Sequence, residues 1–154
     1  PAGALLGLPA HAPLPAGARM LDAGCGLGHG LAALRAAYPA AQLHGIEWSW
    51  PLRLACALRC PWAQVRQGDI WRADWQPYDL VYLFQRPESM PRALEKAQAQ
   101  MRAGSWLVSL EFEALGAAPT AVVRLPDNRP VWMYRLPVTP APDSVANTAN
   151  RRTD

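Results

Sequence analysis

Short apolar runs alternate along this chain with longer stretches of helical spacing. The runs predict strands at 19–23, 42–47, 63–67, 79–84 and 105–112. The stretches between them predict helices at 28–38, 51–60 and 88–101, the last through the spacing of Met90, Leu94, Ala97 and Met101. The segment from Tyr78 to Phe84 is almost wholly apolar, as a parallel strand covered on both faces should be. Strands that alternate with helices predict an α/β fold around a parallel sheet. The alternation stops after 112. No clear helix separates that strand from 121–125, and Asp127-Asn128 is a turn signal before a further strand at 131–136. The last two strands therefore read as an antiparallel pair. Residues 1–18 form a lead-in with a short helical turn around Ala4–Leu8. Residues 19–136 form the domain, and 137–154, polar and rich in Pro, Ala and Asn, read as a disordered tail.

The chemistry starts in the first strand. Met20-Leu-Asp-Ala-Gly-Cys-Gly-Leu-Gly28 leads from an apolar pair through Asp22 into glycines at 24, 26 and 28. Glycine there allows positive φ in a tight turn and leaves room for a ligand against the main chain. The second strand ends in Glu47, one crossover helix later. An acid at that place in a doubly wound sheet can accept both hydroxyls of a ribose, and Trp48 beside it is placed to lie against the base. The nicotinamide-dinucleotide pattern G-x-G-x-x-G would need glycine at 29 or 31, where the chain has His29 and Leu31.

The glycine run resembles motif I of the class I S-adenosylmethionine (SAM) methyltransferases, (D/E)-x-G-x-G-x-G, and the resemblance extends over about residues 17–136. It implies a Rossmann-like doubly wound sheet with a C-terminal antiparallel strand pair, and SAM as cofactor. The cofactor-binding residues it implies are Asp22, Gly24, Cys25, Gly26, Gly28, Glu47, Trp48, Asp69, Ile70 and Phe84, with Asp69 accepting from the adenine amino group and Ile70 on the ring. Asp22 is the group to orient the glycine loop and the methionine ammonium. From the Gly-Asp69-Ile-Trp loop to Phe112 the order of features is similar to protein-lysine methyltransferases related to the enzyme that modifies ATP-synthase subunit c. That implies a lysine amino group as acceptor. The chain departs from that group at Gln85-Arg86. Gln85, Arg86 and Pro87 end the fourth strand, where ligands bind in open α/β sheets, and with Glu111 they are the expected acceptor pocket and catalytic set. His29, just after the glycines, is a candidate base that reads better as a partly exposed residue at a helix start. A small-molecule methyltransferase and a non-catalytic SAM- or nucleoside-binding module are the competing readings.

Composition narrows this modestly. The chain has 154 residues, half of them apolar, enough for one core. Fourteen of its fifteen basic residues are Arg, the net charge is +3, and no basic run interleaves with exposed aromatics, so nucleic-acid binding is not indicated. The chain also lacks an Asn/Asp-Pro-Pro-Tyr/Phe motif after strand four, which disfavours amino methylation of bases. Cys25, Cys56 and Cys60 read as buried thiols in a reducing compartment, with no metal site. No leader or membrane span is visible, which makes the expected location cytoplasmic. The chain begins at Pro1 rather than Met, which reads as a trimmed or partial sequence. Membrane association is expected only through a segment upstream of Pro1.

Overall fold

A computed structural model of the protein describes residues 3–142. The elements follow in the order β1 (Arg19–Ala23), α1 (His29–Ala37), β2 (Gln42–Glu47), α2 (Trp50–Arg59), β3 (Gln64–Gln67), β4 (Leu80–Leu83), α3 (Met90–Gln100) and β5 (Trp106–Leu110), then β6 (Ala117–Ala118), β7 (Ala121–Arg124), β8 (Pro130–Arg135) and β9 (Thr139–Pro140). Seven strands make one sheet in the order β3-β2-β1-β4-β5-β8-β7. The first five are parallel, and β8 joins β5 antiparallel with β7 outside it. This is the expected doubly wound sheet with its C-terminal antiparallel pair. The strand order reverses between β1 and β4, and a crevice opens beyond the carboxyl ends of strands at such a point.

Side chains alternate across the sheet and build two cores. Met20, Leu80, Tyr82, Val108 and Leu110 face α1, α2 and the lead-in residues Leu5 and Leu8. Leu21, Val81, Leu83 and Leu107 face α3 through Met90, Ala93, Leu94 and Ala97. Every residue of β4 and of β5 is buried, which explains why their sequences run almost unbroken in apolar residues.

Two expectations are corrected. Strand five ends at Leu110 rather than 112, because Phe112 N–H turns back to the Leu110 carbonyl at 2.9 Å around Glu111, whose φ is +71°. That is the rare γ-turn of positive φ. The first residues of the expected tail are ordered: Thr139–Pro140 pair antiparallel with Ala117–Ala118, and Val138 packs on the second core. This pairing occupies the region where the sequence shows no helix. The rest of that tail, 143–154, lies outside the described residues. The lead-in also contributes to the core, since Leu5 and Leu8 are buried.

Candidate functional site

The ends of β1 and β2 are tied together first. Gly24 N–H and Cys25 N–H both donate to the Ile46 carbonyl, at 2.9 and 3.0 Å. The chain then turns through Gly24, Gly26 and Gly28 at φ +82°, +53° and +90°. Gly28 is the N-cap of α1 in the left-handed conformation. A Cβ on Gly28 would stand 2.6 Å from Cys60 Sγ and 3.0 Å from Cys56 Sγ, so this glycine is required by packing beneath the loop. A Cβ on Gly26 would meet nothing within 4 Å, so this glycine borders open space.

Glu47 closes the loop from the β2 side. Its Oε1 accepts from Gly26 N–H at 3.0 Å and its Oε2 from Ser49 N–H at 2.8 Å. A carboxylate has about four acceptor sites, so two remain for ligand hydroxyls. Asp69 is arranged similarly. One oxygen accepts from Trp71 N–H at 2.9 Å, which leaves the other. Glu47 and Asp69 line a cavity of about 380 Å³ together with Gly24, Trp48, Ile70 and Gln85. Gln85 lies across the loop; its Nε2 is 2.8 Å from where a Gly24 Cβ would be.

Gly24 is shared with a second cavity, of about 630 Å³, where Asp22, Cys25, Gly26 and His29 face Tyr82, Phe84, Leu110, Leu125 and Arg129. Asp22 is only 3% exposed. Burial raises its pKa most, the Glu47 charge adds to that, and the Leu31 N–H at the start of α1 opposes both; the result is about 7. A Cβ on Gly30 would come within 2.8 Å of the Tyr82 ring and closer still to the Asp22 carboxylate, so Gly30 lets those two groups sit under the helix start. Burial also pushes the Tyr82 hydroxyl far up, so it stays protonated. Phe84 stacks on Phe112 with ring centroids 6.2 Å apart and planes at 8°, half exposed at the mouth. Arg129 is held by Asp127 at 2.8 Å through Nε.

The expected catalytic trio does not line one cavity. Gln85 sits with the smaller cavity. Arg86 is an exposed residue that caps a short 3-10 turn at Pro87–Ser89, because β4 stops at Leu83 and the chain turns away. Glu111 is diverted by the γ-turn, and its carbonyl accepts from Trp132 Nε1–H at 3.1 Å. Neither Arg86 nor Glu111 lines the larger cavity. Phe84, expected in the cofactor set, borders that larger cavity. Sequence reasoning also missed Tyr82, Leu110, Leu125 and Arg129. No local pattern marks them. Tyr82 stands beside Asp22 only because β4 pairs with β1 in that register, and Arg129 arrives on the hairpin between β7 and β8.

The three cysteines gather beneath the loop. Cys56 Sγ lies 3.6 Å from Cys25 Sγ, and Cys60 Sγ lies 3.7 Å from the Gly28 carbonyl. All three are free and buried, and burial raises the Cys25 thiol strongly, so they pack as neutral groups.

Replacing Gly26 with valine is expected to weaken nucleoside-ligand binding by at least roughly tenfold, since the side chain fills the cleft and pays about 1–2 kcal/mol for its left-handed backbone. Cys25→Ala is expected to leave binding within about twofold, because its side chain serves packing. Calorimetric titration with S-adenosylhomocysteine compares the two. Equal affinities would exclude the loop as the cradle.

The model of the ANTKMT methyltransferase domain family matches residues 22–121. Among curated relatives, trans-aconitate 2-methyltransferase of Variovorax paradoxus is 30% identical over 129 residues, which cover 82% of this chain and 46% of that protein. The chain spans about half the length of the curated relatives it matches. Among solved structures, an RNA methyltransferase from Salinibacter ruber in complex with S-adenosyl-L-homocysteine superposes with a TM-score of 0.77 at 24% identity, covering 89% of this chain and 92% of that one. A geranyl diphosphate methyltransferase in complex with SAM gives a TM-score of 0.58 at 16% identity, covering 71% and 47%. At these identities the structural likeness is one of fold.

Proposed function

The chain belongs to the ANTKMT methyltransferase domain family, and on that premise we propose that it transfers a methyl group from SAM to an amino group, that of a lysine in a protein. The observation that carries this reading is the pair of cavities that meet at Gly24, one lined by the carboxylates of Glu47 and Asp69 with free acceptor sites, the other with Phe84, Leu110 and Leu125 on one side. The residues fit the cofactor. Glu47 receives the ribose hydroxyls, Asp69 the adenine amino group, Trp48 and Ile70 flank the ring, and the glycine loop leaves open space at Gly26. Gly24, Cys25, Gly26 and Gly28 form the floor, and Asp22, ionised above its pKa of about 7, faces the methionine ammonium.

SAM supplies the electrophilic methyl group when bound. The protein's part is to align the acceptor and keep water away. Phe84, Leu110 and Leu125 form one apolar wall of the larger cavity, and desolvation against it would lower the pKa of an entering ammonium from its reference value near 10.4. The Tyr82 hydroxyl, kept protonated by burial, is a fixed hydrogen-bond partner on the floor. A second reading has its own support. Arg129 lines the same cavity with only its Nε engaged by a side chain, which suits a carboxylate acceptor, and the curated relatives are named as trans-aconitate methyltransferases.

Two variants separate the readings. With radiolabelled SAM and a cell lysate, label is expected in a protein band and, after hydrolysis, in methyl-lysine. Phe84→Ala should lower that turnover by roughly tenfold while leaving S-adenosylhomocysteine affinity within about threefold. Arg129→Ala should leave protein labelling near the parent rate. Label confined to small molecules and abolished by Arg129→Ala would replace the lysine reading with the carboxylate one. Ligand binding with no transfer to any fraction would leave a binding module.

A further inference from the structure

The helix α2 carries apolar side chains on both sides. Cys56 and, just past its end, Cys60 face inward and are buried. Trp50, Leu54 and Leu58, four residues apart along the outer side, are 65%, 55% and 75% exposed. Pro51 between them is exposed too. A helix with apolar side chains on two opposite sides normally has both sides covered. A continuous apolar ridge of this kind marks an interaction surface.

The charge around the ridge narrows what covers it. From Ala23 to Gly68 the chain carries Arg35, Arg53, Arg59 and Arg66 against one acid, Glu47. Glu47 is engaged by the Gly26 and Ser49 amides. Arg35 stacks over Trp62 at 4.6 Å, and the two share a groove of about 560 Å³ with Arg59 at the end of α2. No acid lines that groove.

We propose that the outer face of α2 docks on bilayers with anionic headgroups, with Trp50, Leu54 and Leu58 entering the headgroup boundary and Arg35 and Arg59 meeting lipid phosphates. Trp and Leu beside arginines, with no acid on the helix, are the chemistry of a segment that lies in the membrane interface rather than across it. Among the described residues no helix is long and apolar enough to cross a membrane. A second copy is the poorer occupant, because a two-fold contact would set this acid-free cationic face against itself. Nucleic acid would satisfy the guanidinium groups and leave Leu54 and Leu58 uncovered. Trp48, directly before α2, lines the smaller cavity, so docking would bring the cofactor cleft close to the bilayer. The proposal does not depend on which acceptor is methylated.

Flotation of the full chain with phosphatidylcholine vesicles, with and without phosphatidylglycerol, tests it. The chain is expected to float with the anionic vesicles and to be released by high salt. Leu54→Ser with Leu58→Ser should cut the bound fraction by roughly tenfold, with melting temperature and S-adenosylhomocysteine affinity unchanged. Arg35→Gln should weaken binding to anionic vesicles and leave behaviour with phosphatidylcholine vesicles unchanged. The proposal is overturned if the parent stays unbound with anionic vesicles, or if the serine variant floats as the parent does. It is also overturned if sedimentation shows a parent dimer that the serine variant dissolves.

Discussion

Glu47→Ala is expected to weaken S-adenosylhomocysteine binding by roughly ten- to a hundredfold, about 1.5–3 kcal/mol for lost hydrogen bonds to a charged acceptor. The effect has two sources. Ligand hydroxyls lose the two acceptor sites that Gly26 and Ser49 leave free. The Gly26 N–H also loses its partner, and with it the loop loses its tie to β2. Glu47→Gln separates these. An amide keeps one acceptor oxygen but turns its NH₂ toward one of the two backbone donors, so it should recover little affinity. Calorimetric titration of the three proteins decides, and affinities within twofold of one another would remove Glu47 from the cofactor site.

The second large effect concerns Asp22 and pH. Its carboxyl rises from an ordinary 3.8 to about 7 in the fold. Between those values the folded state holds a proton that the unfolded state has lost. Stability therefore falls as pH rises through this window, by on the order of 4 kcal/mol at its end. Below pH 3.8 both states are protonated and the contribution is fully present. Asp22→Asn removes this component. The variant should lose less stability than the parent from pH 4 to pH 8, and should be the more stable of the two at the upper end, less about 1–3 kcal/mol if the amide NH₂ finds no partner. On the proposed role of Asp22 it should also bind S-adenosylhomocysteine more weakly at pH 8, where the parent carboxylate is ionised. Urea unfolding of both proteins across this range provides the check. Parallel stability curves would show that Asp22 does not hold its proton in the folded state.

Much of this fold was legible in the chain because its signals are local. β1 and β2 have the expected bounds, since a run of apolar residues between turns needs no tertiary information to read as a strand. The glycine loop and Glu47 were legible for a similar reason, because the backbone conformation of a strand-to-helix turn restricts residue choice directly. Glu111 shows the limit. Its position at the end of an apolar run marks it as a strand residue, and only the Leu110–Phe112 turn and the neighbouring Pro130 and Trp132 contacts divert it. Arg86 lies beyond the end of β4, as the sequence suggests, but its exposed place at the start of a 3-10 turn has no local signal.

The sequence alone determined the parallel α/β order, the glycine turn after β1 and the carboxylates at the end of β2 and just after β3, because each follows from residues near one another in the chain. Only the tertiary structure decided which side chains face the larger cavity, that three cysteines far apart in sequence pack under Gly28, and that the outer side of α2 remains uncovered. Those outcomes depend on strand order and register, which bring β1 beside β4 and lay the β7–β8 hairpin at the edge of the sheet. They rest on contacts between distant residues, and no short stretch of sequence contains both partners.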